Sequence, residues 1–125
     1  MSGLTLDAGA LIAVERNDRH VVALLRVALD AGLRVTVPSV VVAQVWRNGS
    51  KQVRLARLLG YVGLMVEPLS DLTARKAGQL CGVTKTTDVV DAAVVVSAGG
   101  RKDKILTSDV DDLRRLSSDA VLIRV

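Results

Sequence analysis

Short apolar runs alternate with longer stretches of helical spacing along the 125 residues of the chain. Leu4-Thr5-Leu6 is closed by Asp7, and Ala8 to Val14 has helical composition, which predicts a strand with Asp7 at its carboxyl end, then a helix. From Arg19 to Ala31 the apolar residues Val21, Leu24, Leu25, Ala28 and Leu29 recur on one helical face, and Gly32 marks the stop. Arg34 to Val37 reads as a second strand closed by Pro38, with Ser39 as the N-cap of a helix to about Arg47 that carries Gln44. Asn48-Gly49-Ser50 breaks the pattern, Lys51 to Leu59 resumes helical spacing, and Gly60 ends it.

Leu64 to Pro68 is a third strand, Ser70 caps a helix through Leu80, and a loop spans Gly82 to Thr86. Asp88 to Ala98 has conflicting signals, because Val94, Val95 and Val96 favour a strand while the alanines and the Asp-rich start favour a helix. The helix is preferred: Thr87 can cap it, Asp88 and Asp91 suit its positive end, and Gly99-Gly100 punctuates its finish. Lys104 to Thr107, Val110 to Leu116 and Ala120 to Val125 complete the pattern as strand, helix and strand. Strands alternating with helices predict an α/β fold, a mostly parallel sheet covered on both faces, with ligands bound outside the carboxyl ends of its strands. No linker or repeat divides residues 1–125, so a single domain is expected.

Composition narrows the function classes. Half of the chain is hydrophobic, 24% is charged and the mean hydropathy is +0.36, which argues against disorder and against collagen-like or linker-like sequence. The lone Cys81 can form no internal disulfide, so a reducing cytoplasm suits the chain. Met1-Ser2-Gly3-Leu4 has no basic start and no long apolar run, so no secretory leader is expected. Val89 to Ala98, the most apolar segment, contains Asp91 and is about half the length of a membrane span, so no membrane association is expected. A net charge of +4 permits phosphate-bearing partners without requiring them.

The acids carry a sharper signal, since eleven of thirteen are Asp and only Glu15 and Glu67 are Glu. Asp favours helix starts, turns and metal sites, where its short side chain holds a carboxylate near the backbone. Asp7 and Asp109 fall at strand ends, and Asp88 and Asp91 share one face at the start of a largely apolar, hence buried, helix. Carboxylates converging there repel one another unless a cation or protons intervene, so Asp7, Asp91 and Asp109 predict a divalent metal. All-oxygen donors select Mg²⁺ or Mn²⁺, because neither His20 nor Cys81 has a companion for a zinc site or a nucleophilic triad. No Gly-rich phosphate loop is present. The plainer reading makes Asp88 a helix-dipole partner and Asp109 and Asp112 caps of the short helix that follows.

Three segments together resemble a known family. Leu4 to Ala13, with Asp7-Ala8-Gly9-Ala10, resembles the opening motif of PIN-domain ribonucleases, especially the VapC toxins of bacterial VapBC toxin–antitoxin pairs. Thr87-Asp88-Val89-Val90-Asp91-Ala92-Ala93 is similar to their central acidic helix, and Leu106-Thr107-Ser108-Asp109 with Asp111-Asp112-Leu113 to their late strand-end motif. The resemblance implies a PIN-like three-layer sandwich, Mg²⁺- or Mn²⁺-dependent endoribonuclease activity, a homodimer and neutralisation by a cognate VapB-type antitoxin. Asp7, Asp91 and Asp109 match family acids, with Asp88 orienting water and Asp112 auxiliary. Gln44 stands where the family commonly has Glu, and an amide supplies no negative charge.

Arg47, Lys51, Arg54 and Arg57 recur every three or four residues, so a near-continuous helix would align them as a positive stripe for RNA phosphates; the plainer reading is a solvated face. Trp46 and Tyr61 are expected in core or dimer packing rather than in base stacking. Two alternatives stand beside the nuclease. One is a degenerate PIN module that binds RNA or antitoxin without cutting, motivated by Gln44. The other is a phosphotransfer receiver or haloacid-dehalogenase-type phosphatase, disfavoured because Gly9 occupies the position of the second Asp and no acidic pair accompanies the first strand.

Overall fold

The computed structural model describes residues 3–125; Met1 and Ser2, part of the opening read for a leader, lie outside the described residues. The elements are β1 (Leu4–Leu6), α1 (Ala8–Glu15), α2 (Arg19–Asp30), β2 (Val35–Pro38), α3 (Ser39–Val45), α4 (Val53–Leu59), β3 (Leu64–Glu67), α5 (Asp71–Thr84), α6 (Val89–Arg101), β4 (Lys104–Thr107), α7 (Val110–Leu116) and β5 (Leu122–Arg124). Every strand pairing is parallel, and the sheet runs β3-β2-β1-β4-β5, so the fold is the PIN-like α/β arrangement expected.

Parallel strands buried on both faces need apolar side chains on both, and Leu4, Leu6, Val35, Val37, Ile105 and Leu106 supply them. Residue Leu4 pairs with Val35 on one side and Lys104 on the other, which makes β1 the central strand. From β1 the chain moves outward to β2 and β3, then returns to β4 and β5 on the opposite side. The reversal opens a crevice between the carboxyl ends of β1 and β4; Asp7 directly follows β1, and Asp109 lies two residues past the end of β4.

A polar network lies beneath α6. The Asp103 carboxylate accepts from the Gly3 backbone N–H, the Thr5 hydroxyl and the Arg101 guanidinium, each at 2.9 Å. Arg101 also donates to Glu67, Ser97 and Thr5, so one guanidinium joins α6 to β1 and β3. Burial alone raises the Asp103 pKa, but the bonds from Arg101, Thr5 and Gly3 and the Arg101 charge overcome that and hold it below the ordinary value.

Several boundaries differ from the sequence reading. Pro38, not Ser39, occupies the N-cap position of α3, and the Ser39 hydroxyl accepts from the Leu69 N–H instead. Helix α5 continues past Leu80 through the expected loop to Thr84, because Ala77 and Cys81 are buried along it and packing outweighs the weak helix propensity of Gly82. Asp88, not Thr87, caps α6. Gly99 and Gly100 lie inside α6 because the half-buried Arg101 anchor holds one further turn, and Lys102 ends it at φ 58°. The break expected at Asn48-Gly49-Ser50 is wider, from Trp46 to Gln52, so the helical region is not near-continuous and Arg47, Lys51, Arg54 and Arg57 do not form one stripe.

Candidate functional site

Asp7 is only 2% exposed, and its position follows from two backbone constraints. Its N–H donates to the Leu106 carbonyl, extending the β1–β4 ladder by one step, while its carboxylate caps α1 by accepting from the Ala10 N–H at 3.1 Å. The next turn is tight because a Cβ on Gly9 would stand 2.0 Å from the Ser108 Oγ and 2.9 Å from the Ser108 backbone nitrogen. Only a residue without a side chain lets the α1 start and the loop after β4 approach this closely.

Asp109 N-caps α7 without a side-chain cap bond, which leaves its exposed carboxylate uncommitted to the helix. Its backbone N–H donates to the Thr107 hydroxyl at 2.8 Å. The same residue holds the Asp7 pKa down, so Thr107 lies beside both strand-end acids. The sequence reading gave it no role; the polar pair Thr107-Ser108 directly before Asp109 was the available signal.

Asp88 caps α6 by accepting the Asp91 N–H at 3.1 Å, which brings the two carboxyl groups close together. Burial, first of all, then the Asp88 hydrogen bond and the charges of Asp88, Asp109 and Asp7 push the Asp91 pKa up to about 7. Burial likewise raises the Asp7 pKa, with Asp109 adding to it and the bonds from Thr107, Ala10 and Gly9 opposing it. The four acids therefore share one electrostatic neighbourhood. Asp88, Asp91 and Asp112 line a cavity of about 280 Å³ with Lys85 and Arg115 on its rim, and Asp112 pairs with Arg115 at 3.1 Å.

The donor set suits a hard divalent ion: carboxylate oxygens only, two of them raised in pKa chiefly by burial and further by neighbouring acids. Among the described residues, no three His, Cys, Asp or Glu side chains already stand in a metal-holding cluster, so an ion would have to draw the carboxylates inward. Gln44 is exposed and opens onto a different cleft, shared with Ala8, Ile12, Arg47 and Lys51. Arg54 and Arg57 line a third, more apolar groove between α2 and α4 with Leu25, Leu29 and Leu58. Two of the basic candidates thus face one cleft and two face another.

The same architecture is found in solved structures. One chain of the VapBC2 structure from Rickettsia felis, bound to a DNA fragment of its promoter, aligns with a TM-score of 0.76 at 13% identity, covering 97% of each chain. The fold is that of a VapC-type PIN domain. A toxin–antitoxin complex from Klebsiella pneumoniae contains a chain at TM-score 0.70 and 17% identity, covering 98% of this chain and 96% of that one. FitAcB from Neisseria gonorrhoeae aligns at 0.65 and 18%, covering 97% and 96%. No protein-family model and no curated protein sequence matches the chain. At such identities the PIN frame is shared while most side chains differ, so the roles of Asp7, Asp88, Asp91 and Asp109 are argued from their placement here.

Proposed function

We propose that this chain is a Mg²⁺- or Mn²⁺-dependent endoribonuclease toxin, held in check by a cognate VapB-type antitoxin in the cytoplasm. The observation that carries the reading is the convergence of Asp7, Asp88, Asp91 and Asp109 from three distant chain segments onto the carboxyl edge of the sheet, where their charges perturb one another. Asp7, Asp91 and Asp109 would hold the ion. When bound, the ion supplies Lewis acidity towards a phosphoryl oxygen and acidifies water.

The protein groups then have separate tasks. Asp7, held by the Ala10 N–H, contributes a carboxylate already oriented at the end of β1. Asp91 would supply a second carboxylate, the ion taking the place of the proton that this half-buried group otherwise retains. Asp88, exposed at the cavity mouth, orients the attacking water. The partner structures in which the PIN fold recurs favour an antitoxin, and the α2–α4 groove, apolar at its base and edged by Arg26, Arg54 and Arg57, suits an acidic amphipathic segment. The exposed apolar run Val62, Met65, Val66 and Leu69 along the β3 edge favours a homodimer, measurable by light scattering.

RNA cleavage with Mn²⁺ tests the reading: the unaltered chain cuts, while Asp7→Ala and Asp91→Ala fall to background. A non-cleaving PIN module is the second reading, favoured by Gln44 and by the lack of a ready-made three-donor cluster among the described residues. It prevails if the unaltered chain stays at background while still binding RNA.

A further inference from the structure

The cleft between α1 and the segment joining α3 to α4 belongs to no part of the acidic centre, yet Ala8 on its wall directly follows Asp7. Its volume of about 500 Å³ lies in the range of small-ligand sites. Ala8, Ile12 and Val45 give it an apolar surface, and Ile12 remains 37% exposed there. Arg16, Arg47 and Lys51 surround that surface against one carboxylate, Glu15, which is already engaged by the Gln52 amide at 3.1 Å.

The outer wall is built before any ligand arrives. Gln52 is 7% exposed, and its Oε1 accepts from the Arg47 and Asn48 N–H groups at 2.8 and 2.9 Å, while its Nε2 donates to Glu15 and to the Val45 carbonyl. Gly49 lies flush against Trp46, where a Cβ would come within 2.8 Å of the ring. Arg47 is drawn over the end of α3 by bonds from Nη1 to the Ala43 and Trp46 carbonyls. Lys51, Arg16 and Gln44 are exposed and make no side-chain hydrogen bond or ion pair within the described structure.

An apolar floor, a free carboxamide and a cationic rim suit one unit of a single-stranded nucleic acid: a base against Ile12, its edge towards Gln44, and phosphates towards Lys51 and Arg16. We infer that this cleft is a nucleotide-binding subsite for the RNA strand entering the acidic centre, in which Gln44 reads a base rather than serving as a metal ligand. The inference rests on the nuclease reading for the direction of the strand. It also explains why an uncharged amide is useful at this position, since a carboxylate would repel the neighbouring phosphates.

Binding is tested separately from cleavage, with the full chain in chelator and four fluorescent hexaribonucleotides, each of a single base, followed by anisotropy. Lys51→Ala and Arg16→Ala are expected to weaken all four roughly fivefold and to lower the salt slope by about 0.7 each. Gln44→Ala flattens the preference among the four, and Gln44→Glu weakens all of them and, in a separate titration without chelator, does not tighten Mn²⁺ binding. Arg75→Ala, a charge-matched change on exposed α5, stays within twofold. The inference is overturned if the unaltered chain binds none of the four, if the cleft variants match it or Arg75→Ala is as weak as they are, or if Gln44→Glu chiefly raises Mn²⁺ affinity. Cleft-dependent binding without Mn²⁺-dependent cleavage would instead remove the nuclease reading and leave the subsite standing.

Discussion

Asp91 is where charge and folding oppose each other most openly. Folding lifts its pKa from 3.8 to about 7, so the folded chain keeps a proton that the unfolded chain has released. The associated stability is present at acid pH and is lost as pH rises through about 7. Thermal melts in chelator should therefore show this contribution declining between pH 5 and pH 8, and Asp91→Asn should remove it. A cation relieves the same repulsion, so Mn²⁺ should stabilise the chain more at pH 8 than at pH 5, the gain at pH 8 reaching about 2.7 kcal/mol when the free ion is a hundredfold above its Kd there. An unchanged melting curve with Mn²⁺ at pH 8 would count against the metal. The four acids, two following strands and two at the start of one helix, were legible from residue type and position alone. Thr107 was not, because a threonine in a strand signals β propensity long before it signals a hydroxyl that accepts from the Asp109 N–H and lies beside Asp7.

Elements are held in place here by close approach and by buried polar anchors as much as by apolar stripes. The contact of Gly9 with Ser108 sets how near α1 comes to the loop after β4. Gly9→Ala should cost about 1–3 kcal/mol in urea unfolding and separate Asp7 from Asp109, reducing cleavage with it. Ser108→Gly should restore only part of this, since the Ser108 backbone nitrogen still stands 2.9 Å from the new Cβ. In the α3–α4 connection, Gln52→Leu leaves buried backbone groups of Val45, Arg47 and Asn48 without their partner, for a loss of about 2–3 kcal/mol. Hydrogen exchange should then accelerate at the Arg47 and Asn48 amides while the strands stay protected. Helical periodicity located α2 well and showed a break at Asn48-Gly49-Ser50, but not that one buried amide widens the break to Trp46–Gln52. It also ended α6 at Gly99, where the Arg101 anchor carries the helix on.

Over the whole molecule, one ionic network ties the outer strand β3 to the centre of the sheet through the end of α6. Folding lowers the Asp103 pKa, so its contribution is in place above the unfolded value of 3.8 and is lost as pH falls through the folded one. Asp103→Asn should destabilise the chain by about 1–3 kcal/mol at pH 7, because half-buried Arg101 keeps Glu67 but loses the Asp103 charge. The loss should shrink in strong acid, where the unaltered chain also loses this charge. Chemical denaturation at pH 7 and pH 3 measures both effects, and an equal loss at the two would refute the electrostatic account.

Local chemistry determined the strand-helix alternation, the apolar strands and the concentration of aspartate at strand ends, because side-chain periodicity and capping act over a few residues. The crossover order placed Asp7, Asp88, Asp91 and Asp109 in a single electrostatic neighbourhood. It also divided the basic residues between two clefts and brought Glu67 to Arg101. Those outcomes depend on which distant segments become neighbours, and burial and charge coupling exist only once they do.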